Sequence, residues 1–167
     1  KDPIWFGGPS YYKKFPAADK AGWSNPNFFP VATWWDYNNT DESLKADRAM
    51  GINTIVETSN DTDARLLASN GISYIGKASQ TLAHESEAPT LMRPANFIED
   101  ELDGHLGIVD AQKKLDELKS TNAADAASTG RMTYTNFTAL TYSGYRMGEL
   151  LPDGRTTDSV EKALLNN

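Results

Sequence analysis

The stretch ANFIEDELDG places Glu99, Asp100, Glu101 and Asp103 directly behind the apolar pair Phe97-Ile98. Crowded carboxylates raise one another's pKa, so that one of them can hold a proton near neutral pH and donate it. Successive strand residues face opposite sides, which separates Asp100 from Glu101. The two are then not a facing pair, and the functional reading is an acid, Glu101 or Asp100, held close to another carboxylate. The competing reading is a solvated loop whose acids, Asp103 above all, favour the N-terminus of the following helix. A second group, Trp34-Trp35-Asp36, joins aromatic rings to a carboxylate. A ring can stack on the apolar face of a sugar while the carboxylate accepts from its hydroxyls; core packing is the competing role for the tryptophans. Tyr134, Asn136 and Tyr142 can hydrogen-bond a ligand, or serve as ordinary strand-end residues.

Other chemistries find little support. The chain has no cysteine, which excludes thiolate catalysis and disulfides but fixes no compartment. His84 and His105 are the only histidines, and the segment HESE lacks H-E-x-x-H spacing, so no metal site is expected. No G-x-S-x-G elbow occurs. The first apolar run leads into DYNNT, without the glycines of a dinucleotide-binding or phosphate-binding loop, so no cofactor is expected. A formal net charge of −7 argues against nucleic acid as a partner. No apolar run approaches the ~20 residues of a membrane span. Sequons begin at Asn38, Asn60 and Asn136 and matter only in a eukaryotic secretory protein.

The elements that would position these residues can be traced along the chain. Residues 1–28 are rich in Gly, Pro and aromatics and read as an irregular lead-in without helical or strand periodicity. From Phe29, FFPVATWW reads as a buried strand. DESLKADRAM follows as a helix capped by Thr40 or Asp41 and stopped by Gly51. GINTIVETSN and GISYIGKASQ then align without gaps at a period of 20 residues, each behind a helix-like segment. Helix, glycine stop, apolar strand and polar tail is the repeat of parallel βα architecture. Ala95 to Ile98 forms the fourth strand and runs into the acidic cluster. HLGIVDAQKKLDELKS is an amphipathic helix, NAADAASTG a connection, and Arg131 to Phe137 the fifth strand. LTYSGYRMGELLPDG reads as a loop or short helix, and TTDSVEKALLNN as the start of another helix.

About five strands alternating with four or five helices define an α/β chain that closes as a doubly wound sheet or as part of a (β/α)8 barrel. Strand ends carrying Asp36, Glu57, Lys77, Asp100, Glu101 and Asn136 favour the rim of a barrel. A barrel needs eight strands and ~250 residues, so residues 29–167 are expected to hold a partial barrel. Strands from further sequence, or from other chains, would complete it.

In order, FFPVATWWD, GINTIVE, GISYIGK, FIEDELDG and RMTYTNF resemble the first five strands of glycoside-hydrolase-like TIM barrels. Similar barrels occur in secreted glycosidase-like proteins and in minor tail proteins of phages of actinobacteria. The resemblance implies a polysaccharide or cell-wall glycan as ligand and an extracellular or virion location, with a homo-oligomer as one possible assembly. It implies Glu101 as general acid/base and Asp100 as its neighbour, with Asp36, Trp35, Trp34, Glu57, Asn136 and Tyr134 around the ligand. Glycoside cleavage needs two facing carboxyl groups; Asp36 or Glu57 is the candidate opposite number for Glu101. The alternatives are a barrel that binds glycans or serves structurally without hydrolysis, and an independent α/β domain whose acids are only surface.

Overall fold

The computed structural model describes residues 8–37, 39–88 and 92–136, apart from the side chains of 102–109, 111–112 and 121. The expected features from Phe137 onward, Tyr142 included, lie outside the described residues. Five strands alternate with helices: α1 (Pro9–Tyr12), α2 (Pro16–Lys20), β1 (Ala32–Trp34), α3 (Asp41–Ala49), β2 (Thr54–Val56), α4 (Ala64–Ser69), β3 (Ser73–Lys77), β4 (Ala95–Phe97), α5 (Leu102–Thr129) and β5 (Met132–Tyr134). A 3₁₀ turn at Glu85–Glu87 lies between β3 and β4. The described residues up to Phe97, with Asp125–Thr133, form one compact unit; Ile98–Ala124 and the residues from Tyr134 belong to a second.

The strands form one parallel sheet in the order β1-β2-β3-β4-β5. A doubly wound sheet reverses its strand order partway across. Here the order never reverses, which is compatible with part of an α/β barrel.

Local chemistry sets the helix limits. Thr40 and Ser43 form a reciprocal capping box at the start of α3, with Ser43 N–H donating to Thr40 Oγ1 at 3.1 Å. The Asp63 carboxylate caps α4, accepting from Arg65 N–H at 2.9 Å. Gly51 (φ 93°) and Gly71 (φ 64°) take the left-handed conformation that ends these helices before β2 and β3.

Three expectations are corrected. The first strand spans only Ala32–Trp34, and Phe29 is 77% exposed. Among the described residues β1 pairs with β2 alone, and the chain before it is held by Asn53, which receives Val31 N–H and donates to the Phe29 carbonyl. The lead-in contains two short helices, each opened by a proline at a first-turn position, where the missing N–H costs nothing. NAADAASTG is not a connection but the last turns of α5, since alanine-rich sequence favours helix until Gly130 (φ 69°).

The two faces of the sheet are distinct. Ile55 and Tyr74 lie in register and pack with Leu44, Leu67, Ile72 and Leu82 as a helix-side core. On the opposite face Trp34, Val56, Ile75 and Ala95 form one register row, and Lys77 pairs with Phe97 beyond it. The rings of Trp34 and Phe97 meet edge to face, with centroids 5.1 Å apart. Three strand spacings separate β1 from β4, about 14 Å in a flat sheet. The contact therefore requires the sheet to curl, with this face concave.

The lead-in seals the strands' N-terminal end. Buried Trp23 donates its indole N–H to Ser73 Oγ at 3.3 Å, and Ala17 N–H reaches the Gly130 carbonyl at 3.1 Å, just before β5. The polar tails lie at the opposite, C-terminal end of the strands.

Candidate functional site

In the first unit the chain turns sharply after β1 and β2. Trp35 (φ 58°) and Glu57 (φ 54°) both adopt left-handed backbone. They are equivalent positions: Trp35 N–H bonds the Val56 carbonyl and Glu57 N–H the Ile75 carbonyl, each the last rung of its ladder. Non-glycine residues in this region cost of order 1–3 kcal/mol and cluster at functional sites. Glu57 is buried, an unusual place for a carboxylate.

A polar network fixes these turns. Asn39 Nδ2 donates to the Asp36 carbonyl at 2.9 Å, to Thr58 Oγ1 at 2.9 Å and to Thr62 Oγ1 at 3.1 Å. Thr58 Oγ1 also donates to the Asp36 carbonyl. The Asp36 side chain lies within hydrogen-bonding reach of Asp47 on α3; burial first, and then the Asp36 charge, raise the Asp47 pKa. Trp35 and Tyr37 are 48% and 53% exposed, with ring centroids 5.9 Å apart at a 38° tilt. Trp34 points instead onto the concave face against Phe97.

Beyond β3, buried Arg93 holds the backbone. Its guanidinium donates to the carbonyls of Lys77 at 2.5 Å, Gln80 at 2.8 Å and Gly76 at 3.3 Å, and Glu85 stands 3.4 Å away. It also lies over the Tyr74 ring, whose hydroxyl bonds Gln80.

The second unit brings together the acidic cluster and the end of the fifth strand. Ile98 N–H bonds the Tyr134 carbonyl at 2.8 Å, and Thr135 Oγ1 donates to the Glu99 carbonyl at 3.0 Å. Asn136 Nδ2 donates to Asp100 Oδ1 at 2.8 Å. Burial first, and then the Asp100 charge, raise the Tyr134 phenol above its ordinary pKa. Glu101 is exposed, with φ 41°, immediately before α5. Asp100, Tyr134 and Asn136 are thus gathered, while Glu101 reaches into solvent. Of the two acids, Asp100 has the better-defined surroundings.

Asp47, Arg93 and Tyr37 are additions to the set picked out by sequence. Asp47 and Arg93 carry no local signal, because a helix face and a pre-strand arginine acquire meaning only from tertiary contacts. Lys77 was visible as a strand-end charge, and Tyr37 as an aromatic two residues beyond Trp35. Among the described residues, no three His, Cys, Asp or Glu side chains are grouped to hold a metal ion, and His84 Nδ1 lies 2.8 Å from Glu87 Oε1. No helix among the described residues is long and apolar enough to cross a membrane. No protein-family model matches the chain, and neither a curated protein nor a solved structure matches it.

Proposed function

We propose that the chain supplies the first five βα units of a (β/α)8 barrel of glycoside-hydrolase type, directed at a polysaccharide. The observation that carries this reading is the Asp100–Asn136 hydrogen bond, a carboxylate and an amide joined at the C-terminal ends of consecutive parallel strands. Barrel enzymes assemble their chemistry from such strand ends. Asp100, oriented by Asn136, would act on the sugar ring or a hydroxyl, and Glu101 would supply a proton once substrate covers it. The facing carboxyl group would stand ~5–5.5 Å away for retention or ~6.5–9.5 Å for inversion. The test is release of reducing ends from cell-surface polysaccharides by the full-length protein. Hydrolysis abolished by Glu101→Gln and by Asp100→Asn, with melting temperatures unchanged, is the expected result. Turnover unaffected by both substitutions would end the assignment.

A second reading, glycan binding without cleavage as in a virion or cell-surface protein, draws on the exposed Trp35–Tyr37 rings. It expects saccharide binding that Trp35→Ala removes and Glu101→Gln leaves intact, with no turnover by either form.

A further inference from the structure

One side chain joins the loops after β1 and β2. Asn39 Nδ2 lies 2.9 Å from the Asp36 carbonyl, 2.9 Å from Thr58 Oγ1 and 3.1 Å from Thr62 Oγ1. The Thr58 hydroxyl grips the same Asp36 carbonyl, and the hydroxyls of Thr58 and Thr62, both buried residues, stand 2.8 Å apart. Gln80 extends the tie to the loop after β3, donating to the Thr58 carbonyl at 2.8 Å and to Asn60 Oδ1 at 2.9 Å. The polar tails of successive strands are thereby bound to one another.

Asp36 is the residue between Trp35 and Tyr37, so its carbonyl is the point from which both rings are held. Each ring is about half exposed, and the two are neighbours. A bulky residue seldom adopts a φ of 58°, and a half-exposed ring forgoes burial. Both features oppose folding, so packing does not explain the display of Trp35. Nor does stability explain the clamp. Among the described residues the buried Asn39 Oδ1 has no hydrogen-bond partner, which also opposes folding. What the network supplies is a loop whose rings need little further ordering when a ligand arrives.

We propose that Asn39 is a positioning residue, which locks the Asp36 carbonyl so that Trp35 and Tyr37 stand ready to stack on the apolar face of a saccharide. The role demands an amide. Only its N–H donors suit three oxygens at once. A carboxylate here would set negative charge against the Asp36 carbonyl, and alanine would leave that carbonyl to the Thr58 hydroxyl. This rests on the glycan-binding reading above and adds the residue that sets its affinity.

The experiment is calorimetric titration of the full-length protein with cellohexaose and with chitohexaose. Asn39→Ala and Asn39→Asp should each weaken binding about tenfold, the cost of ordering two free rings on contact. Thr58→Val keeps the shape but loses the hydroxyl, and it should weaken binding in the same direction; Thr58→Ser should restore it. If Asn39→Ala fails to fold, the comparison of Thr58→Val with Thr58→Ser decides the matter. Gly71→Ala is the control. It strains the backbone before β3, where a Cβ meets nothing within 4 Å, so it lowers the melting temperature and should bind as wild type does. Wild-type affinity in the Asn39 variants overturns the inference and leaves the glycan reading standing. So does a weakening that Gly71→Ala reproduces, or one that Thr58→Ser shares with Thr58→Val, as a network serving stability alone would give. No binding of either saccharide by the wild type overturns both.

Discussion

The side-chain amide of Asn136 donates to Asp100 Oδ1 at 2.8 Å, so one hydrogen bond ties the end of the fifth strand to the acidic run after the fourth. Asn136→Ala deletes the donor and leaves the Asp100 carboxylate free to rotate. A hydrogen bond to a charged group contributes about 1.5–3 kcal/mol, so a loss at the low end of that range is expected in urea denaturation. If Asp100 acts on a glycan, turnover should fall roughly tenfold to a hundredfold, as misplacement of a reacting group does. A variant with wild-type stability and wild-type kinetics would deny the bond any importance.

Glu101 combines exposure with a φ of 41°. Glycine relieves left-handed strain at little cost in packing there, so Glu101→Gly should raise stability by about 1 kcal/mol. If the strained residue serves catalysis, the same variant should lose turnover, exchanging activity for stability. Equilibrium denaturation read beside reducing-end release checks both halves.

Two aspartates should give opposite pH signatures. The Arg65 guanidinium, hydrogen-bonded to the Asp63 carboxylate, holds its pKa down to about 2. That lies below the ~3.9 of an unfolded chain. The carboxylate therefore favours folding above about pH 4, and the contribution is lost as pH falls through 2. Asp47 is raised by burial and by Asp36, so its contribution is full below the ordinary carboxylate value and disappears as pH rises through the folded one. Asp47→Asn should stabilise near pH 7 and change little near pH 3, whereas Asp63→Asn should flatten the acid limb. Melting curves across this range would contradict the assignment if either substitution gave the same shift at both ends.

Gly71 and Gly130 share a left-handed φ, 64° and 69°, but not their surroundings. A Cβ on Gly71 meets nothing within 4 Å, while one on Gly130 would lie 2.8 Å from Pro16 Cβ. Gly71→Ala should cost about 1–2 kcal/mol from strain alone. Gly130→Ala should cost about 1–3 kcal/mol more, because the lead-in must shift, and limited proteolysis should then cut the lead-in faster. Equal losses would remove the packing argument.

The parts of this architecture that rest on local rules can be read from the chain. The matched segments at Gly51 and Gly71 announce parallel strands in succession, and both glycines sit where left-handed backbone is required. Thr40 has the hydroxyl its cap needs. What escapes such reading depends on neighbours distant in sequence. Phe29 looks like core, yet it falls before β1 and is 77% exposed. NAADAASTG looks like a linker by composition, yet its alanines extend α5. The two adjacent tryptophans differ in role because Trp34 meets Phe97 from a strand three places away. At the candidate site, Asp100 and Asn136 could each be named from strand-end chemistry, but their bond needed the sheet order that sets β4 beside β5.

The contact between Ala17 and the Gly130 carbonyl has a consequence for biosynthesis. The lead-in leaves the ribosome before the strands, yet Gly130, which receives Ala17, is made among the last of the described residues. Until Gly130 emerges from the exit tunnel, Ala17 lacks the carbonyl to which it bonds, although Ser73, the partner of Trp23, is already made. The first unit must therefore complete itself late, by a long-range closure that a nascent chain cannot hasten.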